Sequence, residues 1–258
     1  MTRRSSRLSR RSCLGLLASS VLAPGPARAL GDSGGFQARE LVIGERSLDA
    51  ERHAALGRWG WELVRRTSAP ARLTVKSVRA DRSELYAEPF AVWAGAADPG
   101  RLRGSEIEGL RKFLHLGGIL VVDDSDPVRG AFGKGARREL GRVVPESPVV
   151  ELERKHVVFK SFYIIDRPSG RVLGPGRLSA IVRGQNAQVF LLAQDLLGAL
   201  ARRASTSWAF DVEPGGFAQR EQAVRFAVNL AMYVLCSDYK DDAVHAPWLM
   251  RRRAQSRL

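Results

Sequence analysis

Residues 116–130 read LGGILVVDDSDPVRG. Four apolar residues, Ile119 to Val122, meet three carboxylates in the next four positions, Asp123, Asp124 and Asp126, with Ser125 between them. A short, near-continuous apolar run bounded by turn formers describes a strand buried on both faces, the kind found in parallel sheets. Acids at its carboxyl end then fall where open α/β sheets bind their ligands, in the crevice beyond the strand ends.

The surrounding sequence alternates in the same sense. Before the run, Ile107, Leu110, Phe113 and Leu114 line one helical face, Ser105 to Glu108 has the S-x-x-E form of a capping box, and Gly117-Gly118 ends the helix. Further upstream, Glu40 to Ile43, Leu73 to Val78 and Phe90 to Ala94 read as strands. Leu48 to Thr67 reads as a helix with Leu56, Trp59 and Leu63 on one stripe and Ser47 placed to cap it. Downstream, a short helix is expected around Arg137 to Val143, then a loop-rich stretch. A hairpin of Ser179 to Arg183 and Val189 to Ala193 turns at GQNA, and a closing helix runs from about Phe217 to Cys236, apolar nearly all round from Phe226 to Leu235. Strands alternating with helices predict an α/β fold: a mostly parallel sheet covered by helices on both faces, in a single domain over residues 30–239.

The two ends differ from this body. Ser9-Arg10-Arg11-Ser12-Cys13-Leu14-Gly15, an uncharged stretch to Ala23 and the triplet Ala27-Arg28-Ala29 resemble a twin-arginine signal peptide. Residues 1–29 are therefore expected to be removed near Ala29 on export to the periplasm or beyond. The apolar stretch is short of the ~20 residues that span a bilayer. The signal holds six arginines and no acid, so its loss lowers the formal charge from +14 to +8. Four more arginines, Arg251, Arg252, Arg253 and Arg257, lie in a polar, basic tail at 240–258. With so much of the charge terminal, the composition argues against nucleic acid, while the tail offers peripheral contact with an anionic membrane. Cys13 and Cys236 are the only cysteines, which leaves the exported form without an internal disulfide.

Four segments, FLHLGGILVVDDSD, FGKGARRELGRVVPE, HVVFKSFYIID and QAVRFAVNLAMYVL, occur in an order that resembles the bacterial family called domain of unknown function 4159. The resemblance implies a flavodoxin-like sheet related to class I glutamine amidotransferase-like folds, and it implies no activity. A glycine-rich, aromatic segment that relatives carry near the domain start is missing here.

The chemistry has to be sought residue by residue. Amidotransferase catalysis needs a cysteine on a strand-to-helix elbow, whereas Cys236 ends a helix and no G-x-C-x-G occurs; no G-x-S-x-G serine elbow occurs either. Asp123, Asp124 and Asp126 have three readings: oxygen ligands to a divalent metal, an acid and base pair for hydrolysis, or local acceptors for backbone N–H groups. Ser125 is a ligand-binding candidate in the same cluster, with capping as its other reading. His156 sits in a loop, where it would titrate or donate to a ligand beside the same crevice or else make a fixed hydrogen bond; Tyr163 and Asp195 are secondary ligand-binding candidates, Asp195 with helix capping as its alternative. Asn229, inside the apolar closing helix, is expected to satisfy backbone groups. Three functions follow: a non-catalytic domain binding an envelope ligand or protein partner, a metal-assisted hydrolase using the strand-end aspartates, or a structural envelope factor docking through its basic tail.

Overall fold

The computed structural model describes residues 35–184, 186–203 and 207–255, with side chains as far as residue 237. The expected signal segment, residues 1–29, lies outside the described residues, as do Arg257 and the side chains of Arg251, Arg252 and Arg253.

Seven strands form one sheet. They are β1 (Arg39–Val42), β2 (Lys76–Arg79), β3 (Phe90–Gly95), β4 (Ile119–Asp124), β5 (Val149–Leu152), β6 (Leu178–Arg183) and β7 (Asn186–Leu192), in the order β2-β1-β3-β4-β7-β6-β5. The first five in that order run parallel, and β6 and β5 extend the edge in antiparallel pairs. The parallel part has the strand order of flavodoxin-like sheets, 2-1-3-4-5, with the β5–β6 pair interposed before its last strand. Chain reversal at the β6–β7 hairpin and the parallel runs elsewhere agree with the alternation in the sequence.

Side chains leave successive residues of a strand on opposite faces, and the sheet uses both. Phe90, Val92, Ile119, Val121, Phe190 and Leu192 enter a core with α1 (Ala50–Thr67), α4 (Leu196–Leu200) and α5 (Gly216–Gln255). Ala91, Trp93, Leu120, Val122, Val189 and Leu191 enter the other, beneath α2 (Gly104–His115) and α3 (Ala131–Val143). Trp59 of α1 crosses the first core and donates from Nε1 to the Ala227 carbonyl of α5 at 2.7 Å, which satisfies its polar atom in an otherwise apolar layer.

Several boundaries move from their sequence expectations. Asp49, not Ser47, caps α1, its Oδ1 accepting from the Arg52 amide at 2.8 Å. Helix α2 starts one residue before Ser105, so the reciprocal partner is Glu106 rather than Glu108. Its carboxylate accepts from the amides of Arg103 and, across to the end of β1, Gly44, each at 2.8 Å. Helix α3 begins at Ala131, six residues early. Its glycines permit close approach: a Cβ at Gly135 would stand 2.5 Å from Pro99 Cδ and 2.7 Å from Asp98 Oδ1. The stretch expected to be loop contains the short edge strand β5 and a 3₁₀ turn, Val157–Phe159.

Arg39 shows how completely a charge can be absorbed into this core. It is 1% exposed, and its guanidinium donates to the carbonyls of Glu84, Leu85, Glu88 and Phe90 at 2.6–3.1 Å. Burial lowers its pKa to about 10.

Candidate functional site

The acids of 123–126 lie within and just after β4, and the strand's own geometry separates them. Asp123 continues the face of Ile119 and Val121, while Asp124 continues that of Leu120 and Val122. Asp123 is fully buried and accepts from the first two amides of α4, Leu196 at 2.9 Å and Leu197 at 2.8 Å. Asp124, on the other side, accepts from the Asp126 amide at 3.0 Å and from Gly133 in the first turn of α3 at 2.9 Å. A Cβ at Gly133 would lie 2.9 Å from that carboxylate, so glycine makes room for the bond. Asp126 is half-buried and pairs with the exposed Arg129 at 3.5 Å.

The expected metal triad is therefore corrected. Asp123 and Asp124 point to opposite faces of the sheet and cannot share one ion, and no group of three His, Cys, Asp or Glu side chains among the described residues is placed to hold a metal. The same divergence removes Asp123 and Asp124 as a paired acid and base. Ser125 is also corrected: α3 is capped at Gly130, in a left-handed backbone conformation, with no side-chain acceptor. Ser125 instead donates its amide to Gly95 at 2.8 Å, and its buried hydroxyl has no partner among the described residues.

The carboxylate that does join Asp123 is Asp195. It caps α4 from a left-handed backbone conformation, accepting from Gly198 at 3.0 Å. Arg52 of α1 grips it in two bonds, Nε to Oδ1 at 3.0 Å and Nη2 to Oδ2 at 2.7 Å, and Arg171 donates to the same Oδ2. Arg52 also donates to Asp49 at 2.8 Å and lies over the Phe210 ring. Burial, then the neighbouring Asp195 charge, raises Asp123 well above the usual carboxylate range, to about 8, against the pull of its two amide donors. Burial likewise raises Asp124. Arg52, Arg171 and Asp195 are thus bonded directly and Asp123 joins them through the amides of α4, tying α1, α4, β4 and the segment before β6 together at the carboxyl ends of β4 and β7.

The remaining candidates lie elsewhere. His156 is half-buried and accepts from the Val158 amide through Nδ1; burial lowers its pKa. Its ring packs on Tyr233, whose hydroxyl accepts from Ala187 near the start of β7, whereas Asp123 and Asp195 stand at that strand's end. Asn229 does what its position in an apolar helix led one to expect. It accepts from the amides of Phe162 and Tyr163 and donates to the carbonyls of Val158 and Tyr163. Tyr163 is thus held through its backbone, with its ring beside Phe162 and under Arg225.

Arg52 and Arg171 escaped the reading of the sequence because nothing local marks them. Arg52 sits in a helix 143 residues from the carboxylate it serves. Its one signal is a charge placed beside the apolar stripe of α1.

Strand order, two helical layers and a filled strand-end network define this class of protein: a flavodoxin-like α/β domain carrying an antiparallel extension at one edge. The family model for a domain of unknown function, DUF4159, matches residues 39–235, and the chain belongs to that family. No curated protein matches the sequence.

Proposed function

We propose that this is an exported protein of the cell envelope whose α/β domain binds a ligand or partner and has no amidotransferase chemistry. One observation carries the reading: the strand-end carboxylates, where a catalytic acid and base would be sought, are engaged by backbone N–H groups and guanidinium groups that hold the fold together. A group whose hydrogen-bonding capacity is used by the scaffold is poorly disposed to exchange protons with a substrate. Cys236, the cysteine that would remain after export, lies exposed on α5 rather than at a strand-to-helix elbow.

The export part rests on Arg10-Arg11 and the segment after them. Cell fractionation of the wild type against an Arg10→Lys/Arg11→Lys variant is expected to move the protein from the envelope to the cytoplasm, and equal cytoplasmic retention of both overturns export. The binding part is overturned by turnover of any envelope substrate that Asp124→Asn abolishes without lowering the melting temperature.

A further inference from the structure

The segment Glu153–Arg167 turns its apolar side chains the wrong way for a core. Ile164 is 90% exposed, and Val157 and Phe162 are 48% and 44% exposed. Isolated exposed aliphatics are ordinary, but three large ones within eight residues are a patch that calls for an explanation. They are held in place from beneath. Val158, Phe159 and Ile165 are buried against α5, Ile165 donates its amide to Phe159 at 2.9 Å, and Asn229 makes its four bonds to the backbone of Val158, Phe162 and Tyr163. A polar residue is thus placed in the most apolar stretch of α5 to fix a surface segment whose prongs face water.

Cations flank those prongs along the chain. Arg154, Lys155, Lys160 and Arg167 are all exposed, against two carboxylates in the segment, Glu153 and Asp166. Glu153 is taken by Lys155 in a solvent-exposed pair at 2.8 Å, a contact of little energy that other anions can replace. Apolar prongs set among lysines and arginines match the interfacial zone of a bilayer. There, hydrocarbon accepts the aliphatic and aromatic tips while ammonium and guanidinium groups reach the phosphates. The core of a protein–protein interface is depleted in lysine, so Lys155 and Lys160 beside the prongs favour lipid over a protein partner. Among the described residues no helix is long and apolar enough to cross a membrane, so contact through this segment would be peripheral.

We infer that Glu153–Arg167 is a docking surface for an anionic lipid bilayer, with Val157, Phe162 and Ile164 entering the interface and Arg154, Lys155 and Lys160 meeting headgroup phosphates. This deepens the binding function proposed above by naming its partner. It does not depend on export, so vesicle binding and cell fractionation fail separately.

The test is cosedimentation of the purified full chain with vesicles of phosphatidylglycerol mixed with phosphatidylcholine, and of phosphatidylcholine alone. Comparison within the full chain keeps the terminal arginines constant. Binding is expected on the anionic vesicles, with Phe162→Ser/Ile164→Ser lowering the partition coefficient about tenfold or more. Lys155→Gln/Lys160→Gln should lower it by about tenfold at low salt, with the difference shrinking as salt is raised. Ile164→Ser alone, at a position too exposed to affect folding, should cost about threefold or more and leave the melting temperature unchanged. A Phe162→Trp variant should gain emission that lipid-borne bromine quenches. Wild type that ignores anionic vesicles overturns the inference. So does binding equal in wild type and the Ser variants, which assigns attachment to the terminal arginines. An introduced indole whose added emission brominated lipid leaves unquenched overturns it too, and assigns the patch to a protein partner.

Discussion

The end of β4 and the segment Glu153–Arg167 handle mismatched groups in opposite ways. At the end of β4, carboxyl side chains turn inward, and each buried one is met by an amide or a guanidinium. In the second segment one buried amide, Asn229, is used to hold apolar side chains outward. A set of buried carboxyl groups that all have donors explains itself as scaffold, because burying them unsatisfied would cost more than the contacts return. An ordered apolar surface does not explain itself, because nothing inside the molecule gains from its exposure. The acids looked the more functional of the two in the sequence, and the structure gives them partners within the fold.

Three substitutions sharpen the contrast. Asp195→Ala takes the shared acceptor from Arg52 and Arg171 and should destabilise the protein by about 3 kcal/mol in urea unfolding, chiefly the cost of stranding the buried Arg52. A loss below about 1 kcal/mol would mean that water reaches the network and that the site is open. Asn229→Ala should cost about 1–3 kcal/mol, with amide exchange rising first at Phe162 and Tyr163 while the β4 amides stay protected. If β4 and the 153–167 segment lost protection together, the two regions would be one cooperative unit and the comparison would fail.

The third effect is on pH dependence. Asp123 keeps its proton in the folded protein up to about pH 8, whereas an unfolded aspartate loses it near pH 4. Between those values the folded state holds more protons than the unfolded one, so this residue makes stability fall as pH rises through the window and contributes no slope above it. Asp123→Asn should flatten the fall in melting temperature between about pH 5 and pH 8. An unchanged slope would assign the proton to another group.

Much of the fold was legible in the sequence because it is written in short-range pattern. Short apolar runs located β3 and β4, the GQNA turn located the β6–β7 hairpin, and the stripe of Leu56, Trp59 and Leu63 located α1. Caps were displaced by a residue or two because Ser, Asp and Glu crowd the ends of α1 and α2, and only geometry decides which of them accepts. Helix α3 was read six residues short because Gly130, Gly133 and Gly135 resemble a loop, whereas Gly130 takes the left-handed backbone at the helix start and Gly133 and Gly135 pack closely on Asp124 and Pro99. The site was the least legible part. Asp123 and Asp195 acquire their roles from partners 73 and 143 residues distant, and the separation of Asp123 from Asp124 follows from β4 lasting two residues longer than its apolar run.

Arg39 has a further consequence for anyone who would cut or splice this chain. The connection from β2 to β3 lies outside the sheet and looks like an ordinary place to insert a tag or a protease site. Yet four carbonyls between Glu84 and Phe90 terminate on a cation rooted in the first residue of β1. An insertion there would disconnect the first strand from the third, so this outward-looking connection behaves as interior to every engineering purpose.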